Sequence, residues 1–315
     1  MVSWTPPFTE ADKLEFDLNV SHGPGQNSFV IASYNLRYAR GRYLIWGGVR
    51  RKLGLMSLTH RPQSIAANIA AAAAALSNGK LLPRPDVIAL QEADKRTARS
   101  GGQHVARELA AALGMNWVHA PAGIPRGIKP VTRQWWLDFE EPIGLHDEGD
   151  TGVAILSRYP LSNLQRIDLP WQECPWRPRL AVAADINLGE KTVRLVNAHV
   201  DPHAAVGGQL AQLGTLAEVA NAATSPTIVL GDFNTLSSRK CVETRGYLES
   251  QGYATPVPTG TATWRGAGLR MHADWIFTRG IDVETWGVAR PLNVSDHWPI
   301  WAKCNLTAET QRPQR

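Results

Sequence analysis

Five short polar clusters hold the side chains of this chain that could do chemistry, and each adjoins an apolar, strand-like run. They are residues 33–35, 90–92, 197–199, 231–234 and 295–297, and between them they offer carboxylates, amides and imidazoles. Oxygen donors of this kind suit hard divalent cations such as Mg²⁺ or Mn²⁺. Imidazoles beside them suit proton transfer and charge neutralisation. Together these residue types indicate metal-assisted attack of water on a phosphate ester.

The cluster Gly231-Asp232-Phe233-Asn234 follows the apolar run of residues 228–230. The glycine lets the backbone turn and approach closely, and side chains two positions apart can face one site. Asp232 could accept a proton from water, and Asn234 could donate a hydrogen bond to a phosphate oxygen. The alternative is an Asx turn that only ends the strand.

Glu92 and Asn35 each come at the end of a predicted strand. A strand fixes the position of a glutamate at its end, which favours Glu92 as a metal ligand. The alternatives are an exposed glutamate after a strand and an asparagine that serves as a cap or turn former. His199 also ends a predicted strand, and a lone histidine there is commonly a hydrogen-bonded surface residue.

Asp296 and His297 are adjacent, so on an extended backbone their side chains point in different directions. One of them could therefore meet a metal while the other meets the phosphate, and His297 would need a separate acceptor to orient its ring. Asp274, just before the apolar run of residues 275–277, is the natural candidate. The alternative interpretation of Asp274 is a structural carboxylate that pairs with any nearby donor.

The composition is that of a globular protein with a sizeable core, with 315 residues, 43% of them hydrophobic and 19% charged. No apolar run reaches the roughly 18 residues of a membrane span. The N-terminal segment carries acids where a secretory signal needs an apolar stretch, and the three cysteines are widely spaced. We therefore expect a reducing, cytoplasmic location. The net charge of +5 permits anionic substrates without demanding them.

Hydrophobic periodicity and turn residues predict strands at residues 29–34, 86–91, 152–156, 163–169, 180–188, 192–200, 227–230, 273–278 and 298–303. They predict helices at residues 63–77, 102–113 and 209–222. Hairpins and intervening helices together favour a layered α/β protein with largely antiparallel pairing.

The same patterns predict one domain over residues 29–305, preceded by an N-terminal arm at residues 1–28 and followed by a C-terminal tail at residues 306–315. Residues 120–150 show no clear element. A loop of that length is either functional, as a lid is, or a plain insertion.

The clusters, taken in order with segments 88–92, 151–158 and 273–277, resemble the motifs of the endonuclease/exonuclease/phosphatase superfamily. That superfamily includes DNase I-like nucleases, abasic-site nucleases, neutral sphingomyelinases and inositol-phosphate phosphatases. The resemblance spans residues 29–303. It implies a four-layer α/β sandwich, in which two packed mixed, mostly antiparallel sheets are flanked by helices and the site lies at one end of the strands.

The resemblance also implies a role for each candidate residue. Glu92 would hold Mg²⁺ or Mn²⁺, with Asn35 and Asp296 nearby. Asp232 would orient or deprotonate the attacking water. Residues 261–263, with the sequence Thr-Ala-Thr, resemble a family loop near the site.

Phosphate-binding and proton-transfer roles fall, by the same resemblance, on the remaining candidates. Asn234 and His199 would contact phosphate oxygens. His297, oriented by Asp274, would stabilise the developing charge or transfer a proton. Arg179 resembles an arginine that family members place near the phosphate, and its alternative is a strand-edge arginine.

The leading hypothesis is a divalent-metal-dependent phosphoesterase, specifically a phosphodiesterase acting on nucleic acid. The basic run of residues 37–52, which includes Trp46, could contact DNA or RNA through phosphates and stacking, or a lipid headgroup at a membrane surface. The alternatives are a sphingomyelinase-like phospholipid phosphodiesterase, which would make peripheral membrane contact, and a small-molecule phosphomonoesterase. A hypothesis of another class is a non-catalytic binding protein on the same fold.

Overall fold

The computed structural model describes residues 13–19, 27–41, 61–126, 143–170, 178–266 and 268–306. Within these ranges the strands are β1 (Glu15–Asp17), β2 (Ser28–Asn35), β3 (Val87–Gln91), β4 (Asn116–Pro121), β5 (Gly152–Ser157), β6 (Leu161–Asp168), β7 (Leu180–Leu188), β8 (Lys191–His199), β9 (Thr227–Asp232), β10 (Trp264–Gly266), β11 (Leu269–Met271), β12 (Asp274–Arg279), β13 (Asp282–Val288) and β14 (Ile300–Asn305). The helices are α1 (Arg61–Ser77), α2 (Val105–Leu113), α3 (Val206–Asn221) and α4 (Ser238–Ser250), and Arg37–Ala39 forms a single 3₁₀ turn.

Two large sheets organise the described part of the chain. The first has seven strands in the order β1-β4-β5-β3-β2-β14-β13, and the second has five in the order β12-β9-β8-β7-β6. The pairs β2–β3 and β8–β9 are parallel, and the other pairs of these two sheets are antiparallel. Strands β10 and β11 form a separate hairpin.

The two sheets pack face to face through one apolar core, to which both contribute fully buried side chains such as Ile31, Ile155, Val182, Val196 and Val229. A second core lies on the other face of the first sheet, where the strands pack against helices α1 and α2. Helix α3 lies against β8 and β9 of the second sheet. The predicted four-layer sandwich of two mixed, mostly antiparallel sheets with flanking helices is therefore confirmed.

The predicted strands and helices are confirmed, with their ends shifted by a few residues. The helix predicted from residue 102 begins at Val105, because the side chain of His104 caps it by accepting a hydrogen bond from the amide of Arg107 at 3.3 Å. The sequence patterns missed β1, β4, the short hairpin strands β10 and β11, β13 and α4. Strand β13 is a half-exposed edge strand and α4 is polar with an internal glycine, so neither shows an apolar period.

Strand β1 lies inside the segment predicted to be an arm. Its Glu15 accepts a hydrogen bond from Nζ of Lys95 at 2.6 Å and lies 3.2 Å from Nε2 of His104. Burial alone would raise the pKa of Glu15, but the hydrogen bond and the positive charge of Lys95 lower it to about 2. At the other boundary, the amide of Leu306 donates to the carbonyl of Asn27, so the two ends of the predicted domain are joined.

The chemistry-bearing strand ends meet at one edge of the sandwich. Strands β2 and β3 run parallel, so Asn35 lies beside the residue that precedes Glu92. Strands β8 and β9 also run parallel and place His199 opposite Asp232. Strand β12 runs antiparallel to β9, which puts its first residue, Asp274, opposite Asp232 as well. The segment before β14 reaches the same edge, because β14 runs antiparallel to β2.

A buried polar bridge joins the two sheets just beneath this edge. The amide nitrogen of Gln91 donates to Asn197 at 2.7 Å and to the hydroxyl of Ser33 at 3.1 Å. Asn197 in turn donates to the carbonyls of Leu90 and Ala154, at 2.9 and 2.8 Å. Because a buried polar group without a partner is costly, this network favours one alignment of the sheets over others.

None of the helices in the described ranges has both the length and the apolar character of a membrane span. Two of the three cysteines, Cys241 and Cys304, are buried free thiols. The third, Cys174, lies outside the described residues.

Gly231 occupies a position that only glycine can fill, and we expect Gly231→Ala to lower the free energy of unfolding by more than about 3 kcal/mol. Its φ is +140°, and an added Cβ would lie 2.0 Å from the carbonyl oxygen of Ala198. Gly246→Ala is the matched control, because Gly246 lies in exposed helix with nothing within 4 Å of the added atom. Urea unfolding should show Gly246→Ala unchanged or stabilised by about 0.5–1 kcal/mol. Equal stabilities of the two variants would refute the close approach at Gly231.

Candidate active site

The carboxylate of Asp232 is the point at which polar side chains from both sheets meet. It is 1% exposed. Its Oδ2 accepts a hydrogen bond from Nδ2 of Asn35 at 2.9 Å, and its Oδ1 accepts one from the amide of Asn234 at 2.9 Å. The Nε2 atoms of His199 and His297 lie 3.6 and 3.7 Å from Oδ2. One buried carboxylate thus faces an amide and two imidazoles.

The ring of His297 is oriented by Asp274, as the sequence predicts. Nδ1 of His297 lies 2.9 Å from Oδ2 of Asp274, and both residues are buried. The backbone amide of Asp274 donates to the hydroxyl of Thr263 at 3.0 Å, which fixes the start of β12. Trp264 pairs with His297 as an isolated β-bridge. The pair is therefore held from two directions, and Nε2 of His297 is left facing Asp232.

Arg179, His199 and Glu92 form the opposite wall of the site. Nη1 of Arg179 lies 3.1 Å from Nε2 of His199, and Nε2 of His199 lies 3.9 Å from Oε1 of Glu92. The three residues line a small pocket together with Thr151 and Pro178. Arg179 is buried beside the site. An arginine that only ended a strand edge would not need to be buried there, so its position favours a role in the site.

Asp296 lies on the side of the site formed by β2 and the segment before β14. Its Oδ2 accepts a hydrogen bond from the indole of Trp264 at 3.2 Å and lies 3.7 Å from Nε of Arg37. The hydroxyl of Ser295 donates to the carbonyl of Asn35 at 2.7 Å and lies 3.2 Å from Oδ1 of Asp296. The backbone of Asn35 and the carboxylate of Asp296 therefore share one hydroxyl.

Backbone strain is concentrated in the loops that carry these side chains. Arg37, Tyr38 and Ala39 all have positive φ values, of 47°, 57° and 57°, and Glu92 has a φ of 50°. The amide of Tyr38 donates to the carbonyl of Glu92 at 3.0 Å, so the two strained loops support each other. Non-glycine residues in this region cost about 1–3 kcal/mol each and persist where surrounding contacts over-determine them.

Asn234 and the predicted loop near the site have different placements. Asn234 is buried, has a φ of 50°, and donates through Nδ2 to the carbonyl of Val200 at 2.9 Å. Thr263 supports Asp274, as described above. Thr261 donates to the carbonyl of Pro258 at 2.7 Å and so stabilises its own turn. The structure therefore brings Asn234 and Thr263 to the site and gives Thr261 a local role.

Burial and charge perturb both titrating groups at the centre. Burial, followed by the nearby Asp274 carboxylate, raises the pKa of Asp232 to about 7, against the opposing effects of His297 and Asn35. Burial alone would lower the pKa of His297, but the carboxylates of Asp274 and Asp232 raise it to about 10. The charge of His297 is thus held in place by acids, while Asp232 is poised to exchange a proton near neutral pH.

The sequence of residues 32–297 matches the profile described as Endonuclease/Exonuclease/phosphatase family. The chain belongs to this family. Membership supports the fold of a metal-dependent phosphoesterase, and the members are generally hydrolases of phosphate esters. No curated protein matches the sequence at a significant level.

Solved structures share the family fold at low sequence identity. An endonuclease/exonuclease/phosphatase from Beutenbergia cavernae DSM 12333 gives a TM-score of 0.61 at 16% identity, over 89% of this chain and 72% of that one. One from Bacteroides vulgatus gives 0.59 at 15% identity, over 89% and 99%. TDP2 from Caenorhabditis elegans gives 0.53 at 15% identity, over 88% and 75%. At these identities the likeness shows the fold alone.

The family generally uses divalent metals, and two sets of side chains are candidates to hold one: a cluster that the structure brings together, and Glu92 with the companions that the family resemblance assigns to it. Asp232, Asp274 and His297 bring potential ligand atoms within 4.8 Å of one another. However, Nδ1 of His297 is engaged by Asp274, and an imidazole with a pKa near 10 carries protons on both nitrogens at neutral pH. Glu92 and its predicted companions, Asn35 and Asp296, offer only oxygen donors, so the chemistry of that set fits Mg²⁺ or Mn²⁺ better.

Sequence reasoning gave Trp264 no role, and it considered Arg37 only as part of the basic run that could contact a nucleic acid or a lipid headgroup. Trp264 directly follows the Thr-Ala-Thr segment, and Arg37 begins the basic run. Both contact Asp296. Most of that basic run and the centre of the segment 120–150, which could be a lid or a plain insertion, lie outside the described residues, at 42–60 and 127–142. The expectations for these two segments stay predictions.

In the metal-free protein we expect His297 to remain an imidazolium well above pH 8, and Asp274→Asn to lower its pKa by removing the paired carboxylate. Because the folded pKa lies above the usual value of 6.5, the charge stabilises the fold fully below about pH 6.5, and this is lost towards pH 10. Histidine NMR titration in EDTA measures the pKa, with His297→Gln identifying the signal. Asp282→Asn is the control, because Asp282 is exposed on β13 and its substitution should leave the pKa of His297 unchanged. Titration near 6.5 in the unmutated protein would refute the pairing.

Proposed function

We propose that this protein is a divalent-metal-dependent phosphodiesterase that acts on nucleic acid. One observation carries the proposal: the buried Asp232 carboxylate faces His199 and His297 at 3.6 and 3.7 Å, with Asn35 donating to the same oxygen. Phosphodiester hydrolysis needs a base for water and positive charge for the phosphate in one place. This cluster supplies both kinds of group at the edge of the sandwich where the strand ends meet.

We assign Asp232 the role of the general base that orients the attacking water and accepts its proton. Its pKa of about 7 lets it be ionised near neutral pH while keeping enough basicity to accept a proton. Asn35 and the amide of Asn234 hold the two carboxylate oxygens in fixed positions. A positioned carboxylate of this kind contributes roughly 10²–10⁴-fold as a general base.

Positive groups on either side of Asp232 are assigned to the phosphate. His297, kept protonated by Asp274, and the guanidinium of Arg179, which lies beside His199, can neutralise negative charge that grows on phosphate oxygens in the transition state. Glu92, with Asn35 and Asp296, would hold Mg²⁺ or Mn²⁺. When bound there, the cation supplies further neutralisation of the phosphate oxygens.

Asp232→Asn should lower the turnover of a phosphodiester by roughly 10²–10⁴-fold, because it removes the base while keeping the shape. Glu92→Gln should raise the concentration of Mg²⁺ or Mn²⁺ needed for half-maximal rate by at least about tenfold. The measurements are plasmid nicking and hydrolysis of bis(4-nitrophenyl) phosphate, with Mg²⁺, with Mn²⁺ and with EDTA.

Glu190→Gln is the matched control, because Glu190 is exposed in the turn between β7 and β8, at the far end of β8 from His199. Full activity of Asp232→Asn in both assays would refute the assignment. Hydrolysis of sphingomyelin vesicles or of 4-nitrophenyl phosphate without plasmid nicking would keep the proposed chemistry, and the substrate would then be a phospholipid or a phosphomonoester. A folded protein that hydrolyses none of the four substrates would be a binding protein on this fold.

A further inference from the structure

Three arginines surround one tryptophan immediately beside the proposed catalytic histidine. Trp298 follows His297 and is 4% exposed. The guanidinium carbons of Arg265, Arg290 and Arg270 lie 4.6, 4.8 and 5.9 Å from the centre of its ring. We call Arg265, Arg270 and Arg290 the arginine cluster. Arg270 and Arg290 are exposed, whereas Arg265 is half-buried.

The arginine cluster is tied to the site through the β10–β11 hairpin. The amide of Arg265 donates to the carbonyl of Asp296 at 2.9 Å, and the amide of Trp298 donates to Thr263 at 2.7 Å. The guanidinium of Arg265 donates to Leu292 and Asn293 at 2.9 and 2.7 Å, which joins the hairpin to the loop after β13. Arg265 therefore works as the brace that holds the other two arginines beside the site.

Acidic residues are absent from the two segments that carry the cluster, and Asp274, Glu284 and Asp296 lie just outside them. Residues 260–273 and 285–295, which carry the hairpin and the loop after β13, contain no aspartate or glutamate. Among the described residues, no carboxylate forms an ion pair with Arg270 or Arg290. Burial, followed by the charge of Arg270, lowers the pKa of Arg290. Like charges gathered in this way favour binding of an anion.

We propose that Arg270 and Arg290, braced by Arg265, bind a backbone phosphate that flanks the scissile phosphate of a polynucleotide. The proposal rests on the proposed function and deepens it, because it explains how the site would prefer a chain of phosphates to an isolated diester. Arginine is suited to this task, since its planar guanidinium pairs with phosphate through two donors.

A lipid surface fits this cluster less well than a polynucleotide. Membrane-binding surfaces combine basic residues with several apolar side chains that insert between lipids. In the described part of the hairpin, Leu269 is the one large hydrophobic residue that is strongly exposed, and the ring of Trp298 is covered by its own arginines. The exposed chemistry is thus a pair of arginine charges with little apolar surface beside them, which suits a phosphate of a polynucleotide better than a lipid surface.

The test compares two substrates that differ only in their flanking charge. One is a fluorescent DNA 12-mer with ordinary linkages, and the other has a single phosphodiester among neutral methylphosphonates. We expect Arg270→Ala and Arg290→Ala each to raise KM for the ordinary 12-mer about three- to tenfold, and to reduce the slope of log KM against log salt by about 0.7–0.9. Neither variant should change the KM, or its dependence on salt, for the substrate with neutral flanking linkages.

Arg84→Ala is the matched control, because Arg84 is an exposed arginine at the opposite end of β3 from Glu92. It should leave KM and the salt slope of both substrates unchanged. An equal KM change on the two substrates in Arg270→Ala or Arg290→Ala would overturn the flanking-phosphate assignment. A loss confined to binding of phosphatidylserine vesicles, with unchanged DNA kinetics, would overturn it in favour of a membrane contact.

Anisotropy with the ordinary 12-mer in EDTA separates this proposal from the proposed function. Weaker DNA binding by both cluster variants, in a protein that hydrolyses no diester at all, would support the arginine cluster and refute the phosphodiesterase. If the variants bound DNA as tightly as the unmutated protein and that protein hydrolysed the diester, the phosphodiesterase would be supported and the role of the arginine cluster would be refuted.

Discussion

A carboxylate with almost no exposed surface needs hydrogen-bond donors wherever the fold places it, and at Asp232 those donors come from both sheets. Asn35 belongs to the first sheet, whereas Asp232 and Asn234 belong to the second sheet and the loop that follows it. Losing one partner of a buried charged group costs about 3–5 kcal/mol. The alignment of the two sheets is therefore coupled to the geometry of the site, since neither sheet alone satisfies this carboxylate.

That requirement accounts for features that look separate along the chain. The polar bridge between Gln91 and Asn197 fixes the two sheets just below Asp232. The parallel pairs β2–β3 and β8–β9 place four strand ends on one edge, and the antiparallel neighbours β12 and β14 begin there. The strain at Glu92 and in the Arg37–Ala39 turn lies in the loops leaving that edge. The residues that we assign to the chemistry are thus also the residues that hold the two sheets in place.

The sequence predicted what depends on local pattern and missed what depends on long-range contact. Strand ends that carry Asn35, Glu92 and Asp232 follow clear apolar runs, and the family resemblance supplied their order. The pairing of Asp274 with His297 was also predictable, because each needed a partner. By contrast, Trp264 reaches Asp296 only because the hairpin folds back over 32 residues of sequence. Strand β1, with half-exposed and exposed residues, is defined by its pairing with β4 and by Glu15, and no local period marks it.

We propose that Glu92, and not the Asp232–Asp274–His297 group, holds the divalent cation, so that His297 keeps its proton. The most direct measurement is a crystal structure of the protein soaked in Mn²⁺, with the ion located by its anomalous scattering. We expect a peak within about 2.5 Å of a Glu92 carboxylate oxygen, with the Asp274–His297 hydrogen bond intact. A peak between Asp232, Asp274 and a ring nitrogen of His297 would contradict it, because that ligand must be a neutral imidazole.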